Sequence, residues 1–258
     1  MRISIAAAAL LLLAACATKT AETAAPAPPA AAGPASYISA ALADPRRPQA
    51  DRDRDADRHP AEILTFAQVE PGEIVGDWGP GGGYYTRLFS NIVAEGKVFA
   101  IIRPIPPNAE RQPAILAVAA EAGYANLTVV QSPYGAVQLP QQVDTMFMSQ
   151  EYHDQYLTRA NLDVAAGNRA IFNAIKPGGT LIVIDHSAIA GSPAVATADT
   201  LHRIDEAIVR RDLEAAGFVY EADTQLLRNP ADARTVNVFD AAIRGHTDQF
   251  ALRFRRPG

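Results

Sequence analysis

The chain of 258 residues contains one cysteine, Cys16, so no disulfide bond can form within it. Its fold must therefore rely on a hydrophobic core, which the 48% share of hydrophobic residues can supply. Positive charge is not in excess either, because the formal net charge is −5. This balance argues against nucleic acid, or a bare anionic membrane surface, as the main partner.

The N-terminus has the pattern of an export signal. Arg2 precedes an apolar run over residues 3–13 that is too short to cross a bilayer as a helix. The run ends in Leu-Ala-Ala-Cys at Cys16, which resembles the lipobox of bacterial lipoproteins; an ordinary cleaved signal with a chance cysteine is the alternative. The resemblance implies a lipid anchor on Cys16 that holds the protein at a membrane of the cell envelope, facing the periplasm.

Composition then divides the chain into three parts. Residues 17–35 are mostly Ala, Pro and Thr, a composition that cannot bury a core and is typical of an extended tether. We therefore predict a signal peptide over residues 1–15, a lipidated and Ala/Pro-rich tether over 16–44, and one α/β domain over 45–258.

Predicted strands and helices alternate through the domain. The pattern predicts helix 60–67, strand 73–76, helix 83–93, strand 97–102, helix 109–122, strands 127–131 and 143–148, helix 161–175, strand 180–185, helix 200–216, and strands 218–227 and 249–254. This alternation predicts an α/β fold with a doubly wound, mostly parallel sheet and helices on both faces. The alternating Asp/Arg run at 51–58 predicts a solvated helix at the domain edge.

The first predicted strand leads into the loop Asp77-Trp78-Gly79-Pro80-Gly81-Gly82-Gly83. Its glycines allow a tight bend and let a ligand approach without meeting a Cβ, while the Asp77 carboxylate suits a polar or cationic group. The dinucleotide fingerprint does not fit, because its sixth position here is Tyr84, and the Gly-Lys-Ser/Thr of a Walker loop is absent. A ligand-binding loop is the favoured hypothesis over a plain surface turn.

The pattern Asp-x-Gly-x-Gly-x-Gly resembles the first motif of class I S-adenosylmethionine (SAM)-dependent methyltransferases. From about residue 60 to the C-terminus, the element order and the Lys-Pro-Gly-Gly turn at 176–179 are also similar to that superfamily. The motifs that resemble a group of uncharacterised bacterial predicted methyltransferases are Pro-Gly-Gly-Gly-Tyr-Tyr-Thr at 80–86, Tyr-His-Asp at 152–154, Ile-Asp-His at 184–186, His-Arg-Ile-Asp at 202–205 and Ile-Arg-Gly-His-Thr-Asp-Gln-Phe at 243–250. The resemblance implies a seven-stranded sheet of order 3-2-1-4-5-7-6, with strand seven antiparallel.

Ligands of such sheets lie beyond the carboxyl ends of the strands. That rule selects the residues 77–83, Arg103, Gln131 with Ser132, 150–154, and Asp185 with His186. The resemblance implies that Asp77, Gly79, Gly81 and Gly83 bind the methionine part of SAM, and we predict Gln131 and Ser132 as contacts of the adenine.

Two positions depart from the superfamily pattern. Ile102 ends the second strand where an acid usually holds both ribose hydroxyls, and the acid often found after the third strand is also missing. We consider Glu110 or Asn108 as replacements for the first acid. Arg103 suits an anionic ligand, or it is simply a solvated arginine before a proline.

For catalysis, we predict His153 as the base for an acceptor that must lose a proton, because histidine titrates near neutrality. Asp154 would orient it, and Tyr152 would form a wall of the pocket; alternatively, this tripeptide caps the following helix. His186 competes for the same role, with Asp185 as its partner. His202 and Asp205 would lie three residues apart on one helix face, with a structural pairing favoured.

The sequence favours a SAM-dependent methyltransferase that acts on a small molecule or an envelope component. We predict no metal ligand set, because the histidines and acids lack a tight spacing such as His-Glu-x-x-His. The Asn/Asp-Pro-Pro-aromatic motif of nucleobase methyltransferases is absent after the fourth strand, so nucleic acid is not an expected partner. The alternative is an exported, non-catalytic ligand-binding protein on the same fold; a nucleotide-dependent oxidoreductase is less compatible with the glycine spacing. Oligomeric state is not predicted.

Overall fold

The computed structural model describes residues 35–258. The predicted signal peptide, the lipidation of Cys16 and most of the predicted tether lie outside the described residues. The predicted domain boundary at residue 45 needs correction, because helix α1 (Ser36–Ala43) belongs to the domain. Its Ile38 and Ala41 are buried in the core, and this burial stabilises a segment that composition alone placed in the tether.

A seven-stranded sheet forms the centre of the domain. Its strands are β1 (Ile74–Trp78), β2 (Lys97–Ile102), β3 (Leu127–Gln131), β4 (Val143–Ser149), β5 (Ile175–His186), β6 (Val219–Thr224) and β7 (Gln249–Arg255). The strand order is β3-β2-β1-β4-β5-β7-β6, and β7 runs antiparallel to both of its neighbours. The predicted α/β fold, with its doubly wound sheet and its strand order, is confirmed.

Helices cover both faces of the sheet. After α1 they are α2 (Gln49–Arg52), α3 (Asp55–Arg58), α4 (Pro60–Ala67), α5 (Tyr84–Val93), α6 (Ile115–Ala119), α7 (Val164–Ala174), α8 (Ala194–Leu201) and α9 (Glu206–Ala215). Successive side chains of a strand point to opposite faces, so Phe147 packs with α4 and α5, whereas its neighbour Met146 packs with α7 and α9. Within residues 35–258, no helix is both long and apolar enough to cross a membrane.

Three predicted helices differ in the structure. The helix expected over 109–122 shortens to α6, because Pro113 in its interior cannot donate a helical hydrogen bond. The charged run at 51–58 forms two short helices, α2 and α3, instead of one. The helix expected over 200–216 is divided into α8 and α9, since His202 has a left-handed backbone (φ 53°) and Ile204 pairs with Ser187 after β5.

Candidate functional site

The glycine-rich loop lies at the carboxyl ends of β1 and β2. Gly79 (φ 70°), Gly81 (φ 53°) and Gly83 (φ 85°) all adopt the left-handed backbone that favours glycine. Gly79 also lies so close to Glu151 that a Cβ on it would be 2.2 Å from the Glu151 Cγ. A side chain at position 79 would therefore have to displace the Glu151 side chain.

Asp77 is buried beneath this loop. Its carboxylate accepts a hydrogen bond of 2.5 Å from the Thr86 hydroxyl on α5, and burial raises the pKa of Asp77 to about 7. In the structure Asp77 therefore fastens the loop to α5 and does not line either of the two cavities described below. Its predicted contact with a ligand stays a prediction.

A cavity of about 480 Å³, here called the loop cavity, opens beside the glycines. Its lining residues are Trp78, Gly79, Pro80, Gly81, Ile101, Ile102, Arg103, Pro104, Ile105, Pro106, Ala109, Arg111, Pro113, Ala114, Tyr134 and Glu151. Most of these side chains are apolar or aromatic, and Glu151 contributes the cavity's one carboxylate. The size lies in the range of about 300–1,000 Å³ that is typical of small-molecule sites.

Glu151 was selected from the sequence only as one member of the 150–154 segment. Its carboxylate accepts a hydrogen bond from the Tyr134 hydroxyl. Burial raises the pKa of Glu151 to about 7, although the Tyr134 bond acts in the opposite direction. The side chain can thus present either a neutral or a charged group to the cavity near neutral pH.

The predicted adenine contacts do not line the loop cavity. The Gln131 side chain accepts a hydrogen bond from the Ile105 backbone N–H (2.8 Å), and the Ser132 hydroxyl accepts one from Gln138 N–H (2.8 Å). Both side chains are occupied in bracing the loops after β2 and β3, which sequence position alone does not reveal.

At the end of β2, Ile102 faces the loop cavity as an apolar lining residue. Neither Glu110 nor Asn108, considered above as replacements for the missing acid, lines that cavity. Arg103 does line it and fits neither predicted role fully: its guanidinium lies 5.0 Å from the Tyr134 ring centroid and donates a 3.2 Å hydrogen bond to Asp154.

His153 follows β4 and contacts two acids: the predicted partner Asp154 at Nε2 and, more closely, Asp185 at Nδ1. Asp185, at the end of β5, lies 2.8 Å from Nδ1 of His153 and also accepts a 2.7 Å bond from its backbone N–H. Burial opposes the protonation of His153, but the charges of Asp185, Asp154 and Glu151 outweigh it and raise its pKa above the usual value. With Nδ1–H donated to Asp185, the lone pair of the neutral ring lies on Nε2.

Two further predictions about the Tyr-His-Asp segment are wrong. Residues Tyr152–Tyr156 form a 3₁₀ helix of their own. The α-helix that follows, α7, is capped by the Asp163 side chain and not by this tripeptide. Tyr152 is fully buried and accepts a 2.8 Å bond from Asn168, so it is a core residue and not a pocket wall.

Asp154 and His202 lie on the Nε2 side of His153. Asp154 Oδ1 is 3.3 Å from Nε2, and His202 Nδ1 is 3.2 Å from it. The predicted pairing of His202 with Asp205 is wrong, because the break between α8 and α9 separates them. Asp205 caps α9 through the Ala207 N–H.

The ring of His186 also lies near His153, with the two ring centroids 6.0 Å apart. Its Nδ1 is 2.7 Å from the Thr247 hydroxyl, and burial lowers the pKa of His186 to about 4, so the ring is neutral near pH 7. Asp185 contacts only its backbone N–H.

His186 lines a second cavity of about 440 Å³, here called the arginine cavity. The other lining residues are Arg54, Asp57, Arg58, Gln150, Val238, Phe239, Arg244, Gly245 and Gln249. Within residues 35–258, none of these three arginines forms an ion pair, whereas Asp57 pairs with His246 at 3.1 Å. The cavity therefore carries an excess of positive charge. Three of its lining residues, Arg54, Asp57 and Arg58, come from the charged run at 51–58, for which the sequence predicted only a solvated helix.

Adjacent residues after β4 line the two cavities. Gln150, in a left-handed backbone (φ 63°), lines the arginine cavity, and the next residue, Glu151, lines the loop cavity. His153 lies between them: Arg103 of the loop cavity binds its neighbour Asp154, and His186 of the arginine cavity lies against its ring. His153 itself is buried and lines neither cavity, and it reaches each of them through one neighbouring residue.

Comparison with solved structures identifies the fold. A SAM-dependent methyltransferase from Aquifex aeolicus is 20% identical, with a TM-score of 0.56 over 85% of this chain and 98% of that one. The 1,6-didemethyltoxoflavin-N1-methyltransferase of Burkholderia thailandensis, solved with S-adenosylhomocysteine, is 17% identical, with a TM-score of 0.53 and 80% of each chain covered. The [4+2]-cyclase SpnF is 18% identical, with a TM-score of 0.57 over 83% of this chain and 84% of that one.

No protein-family model matches the chain, and no curated protein sequence matches it significantly. At these identities the similarity to solved structures establishes the fold, which is that of class I SAM-dependent methyltransferases. The function has to be argued from the site.

Proposed function

We propose that the protein is a SAM-dependent methyltransferase that binds SAM in the loop cavity and its methyl acceptor in the arginine cavity. The observation that carries the proposal is the loop cavity itself, at the carboxyl ends of β1 and β2 in a methyltransferase fold. SAM would supply a methyl group on a sulfonium, a reaction in which positioning provides most of the catalysis.

The residues of the loop cavity fit this cofactor. Gly81, where a Cβ would have no atom within 4 Å, leaves room for a ligand against the backbone, and Tyr134 with Ile102 offers apolar surface to a flat base. Glu151 is the carboxylate available for hydroxyl or cationic groups, and we assign to it the role that the acid at the end of β2 usually has.

The arginine cavity supports an acceptor that carries an anionic group. Arg54, Arg58 and Arg244 lack carboxylate partners among residues 35–258. A bound carboxylate or phosphate would form charge-assisted hydrogen bonds with them. We propose a small molecule or an envelope component of this kind.

Acceptor atoms that must lose a proton need a base beside the reacting position. The Asp185 carboxylate holds His153 through Nδ1, so that Nε2, which also lies 3.2 Å from Nδ1 of His202, is the proton-accepting atom. His186, neutral near pH 7, can accept a hydrogen bond from the acceptor in the arginine cavity. Asp154 lies against Nε2 and stabilises the charged ring once it has taken a proton.

The proposal includes the location of the protein. A lipid on Cys16 would hold the domain at an envelope membrane on the periplasmic side, and nucleic acid is not a partner. SAM is made in the cytoplasm, so this location, together with Ile102 at the end of β2, favours a second candidate. That candidate is a non-catalytic binding protein that uses the same two cavities for another ligand.

Calorimetry of the full chain with SAM and with S-adenosylhomocysteine separates the two candidates. We expect micromolar binding of both, weakened about tenfold or more in Tyr134→Ala, which removes a wall of the loop cavity; tenfold corresponds to about 1.4 kcal/mol. Tyr220→Ala, on the edge strand β6 and outside both cavities, is the matched control and should bind as the wild type does. Absence of heat at millimolar ligand in a folded protein would sink the methyltransferase proposal and leave the binding protein.

A further inference from the structure

The segment after β4 and the break between α8 and α9 bring three ligand-type atoms together. Nε2 of His153 is 3.2 Å from Nδ1 of His202 and 3.3 Å from Oδ1 of Asp154. The third side of this triangle, from His202 Nδ1 to Asp154 Oδ1, measures 3.9 Å. Bonds of about 2.0–2.1 Å to a tetrahedral ion place neighbouring ligand atoms about 3.3 Å apart. The triangle is therefore close in size to one face of a tetrahedral coordination sphere.

His153 also has the outer partner that metal-binding histidines usually have. Its Nδ1 is bonded at 2.8 Å to Asp185, which is fully buried, and this contact orients the ring with Nε2 toward the triangle. A carboxylate on the far nitrogen fixes the tautomer of a ligating histidine and makes it a better ligand.

His202 reaches the triangle only because its backbone is unusual. A left-handed conformation (φ 53°) costs energy for a non-glycine residue, and it ends α8 at this point. The ring then packs against Phe239, with the centroids 5.0 Å apart, and turns Nδ1 toward His153. A costly backbone that aims an imidazole at two other ligand atoms is consistent with a functional constraint.

The surrounding charges are compatible with a cation. Arg103 donates to Oδ2 of Asp154, whereas the triangle uses Oδ1. Two carboxylates, Asp154 in the triangle and Asp185 behind it, balance a divalent charge. Asp154 and His202 remain partly exposed (12% and 15% of their side chains), so a fourth position can be reached from outside.

We propose that His153, His202 and Asp154 bind one divalent first-row transition-metal ion, best matched by Zn²⁺, with a fourth position open to water or to a substrate oxygen. Imidazole nitrogens favour such ions over Mg²⁺ and Ca²⁺. An oxygen held on the ion loses its proton more readily, so the base role assigned to Nε2 of His153 would pass to this oxygen. The site revises the sequence-based expectation of no metal, and it does not depend on SAM binding.

The test uses the full chain, treated with a chelator and free of SAM. Zn²⁺ is titrated by calorimetry and Co²⁺ by visible absorption spectroscopy. We expect one ion per chain, no displacement by excess Mg²⁺, and the intense absorption of four-coordinate Co²⁺. His202→Asn removes the imidazole with a residue that tolerates the left-handed backbone, and it should weaken Zn²⁺ binding at least a hundredfold. Asp185→Asn should weaken it about 10- to 100-fold through His153.

His246→Ala is the matched control, because this exposed histidine lies outside the triangle and its loss should leave the affinity unchanged. No binding at micromolar ion, or an unchanged affinity in His202→Asn, overturns the proposal and leaves a hydrogen bond between the two imidazoles. Circular dichroism reports whether each variant is folded. If a variant does not fold, the Co²⁺ spectrum of the wild-type protein tests the proposal instead. The intense bands of four-coordinate Co²⁺ support it, and the weak bands of six-coordinate Co²⁺ overturn it. Each outcome is independent of whether SAM binds.

Discussion

The buried carboxyl group of Asp77 makes a quantitative prediction about stability. Asp77 lies in the middle of the sheet, between Ala100 of β2 and Phe147 of β4, and is 2% exposed. The Thr86 hydroxyl is its one hydrogen-bond donor on another side chain, and it forms no ion pair within residues 35–258. Burial in these surroundings disfavours the charged form and raises its pKa from 3.8 to about 7.

The sign follows from proton linkage. An unfolded chain releases the Asp77 proton at about pH 4, whereas the folded protein keeps it until about pH 7. The free energy of unfolding therefore falls as the pH rises through this window, and the contribution of the neutral carboxyl group is complete only below it. A shift of about three pKa units corresponds to up to about 4 kcal/mol.

Asp77→Asn isolates the contribution that ionisation of Asp77 makes to the free energy of unfolding. The amide oxygen can still accept the Thr86 hydrogen bond, but the side chain no longer titrates. Its extra N–H donors shift the stability by an amount that does not change with pH. We expect the variant to gain up to about 4 kcal/mol relative to the wild type between about pH 4 and pH 8. Denaturant unfolding of both proteins at four or five pH values in this range measures the difference.

Asp53→Asn is the matched control, because this aspartate is exposed on the surface and bonds only the Gln49 side chain. It reports the effect of removing one surface carboxylate. A stability difference between Asp77→Asn and the wild type that stays constant with pH would refute the reasoning. Asp77 would then be ionised in the folded protein as readily as in the unfolded chain.

Two further predictions concern the partners. If Arg54, Arg58 and Arg244 recognise the acceptor, an envelope extract separated by anion exchange should have its methyl-accepting activity in the retained, acidic fractions; activity confined to the unretained fraction contradicts an anionic acceptor. If the N-terminus is a lipoprotein signal, labelled palmitate should enter the wild-type protein in bacterial cells but not Cys16→Ala, and label that persists in the variant rules out this anchor.

Much of the fold could be predicted because it follows local patterns. Strands β2 and β3 were predicted with their observed bounds, since apolar runs of five or six residues end at clear turn signals. The glycine loop was also placed correctly, because left-handed backbone at three positions requires residues of this kind. The larger errors concern helices, where Pro113 and the turn at His202 ended segments whose composition suited a longer helix. Two strands also differ: β5 begins at Ile175, within the segment predicted as helix end and turn, and β6 ends at Thr224 instead of residue 227.

The site was predicted less completely. The rule that ligands lie beyond the carboxyl ends of strands brought His153, Asp185 and His186 into consideration, and they do lie together. It could not tell that Asp185, 32 residues away, would hold His153 in preference to the adjacent Asp154. In a 3₁₀ helix, successive side chains point in different directions, so Asp154 lies at Nε2 of His153 (3.3 Å) and Nδ1 is left for Asp185.

By itself, the sequence determined the layers of this protein: the alternation of strands and helices, the faces that each strand buries, and the bend after β1. These depend on interactions between residues a few positions apart. Only the tertiary structure decided that His202 meets His153 and Asp154, and that Arg54 and Arg58 face Arg244 across one cavity. Those contacts join residues far apart in the chain. They depend on the strand order, on burial, and on the bridge between Ser187, just after β5, and Ile204, after α8. A local sequence pattern specifies none of these.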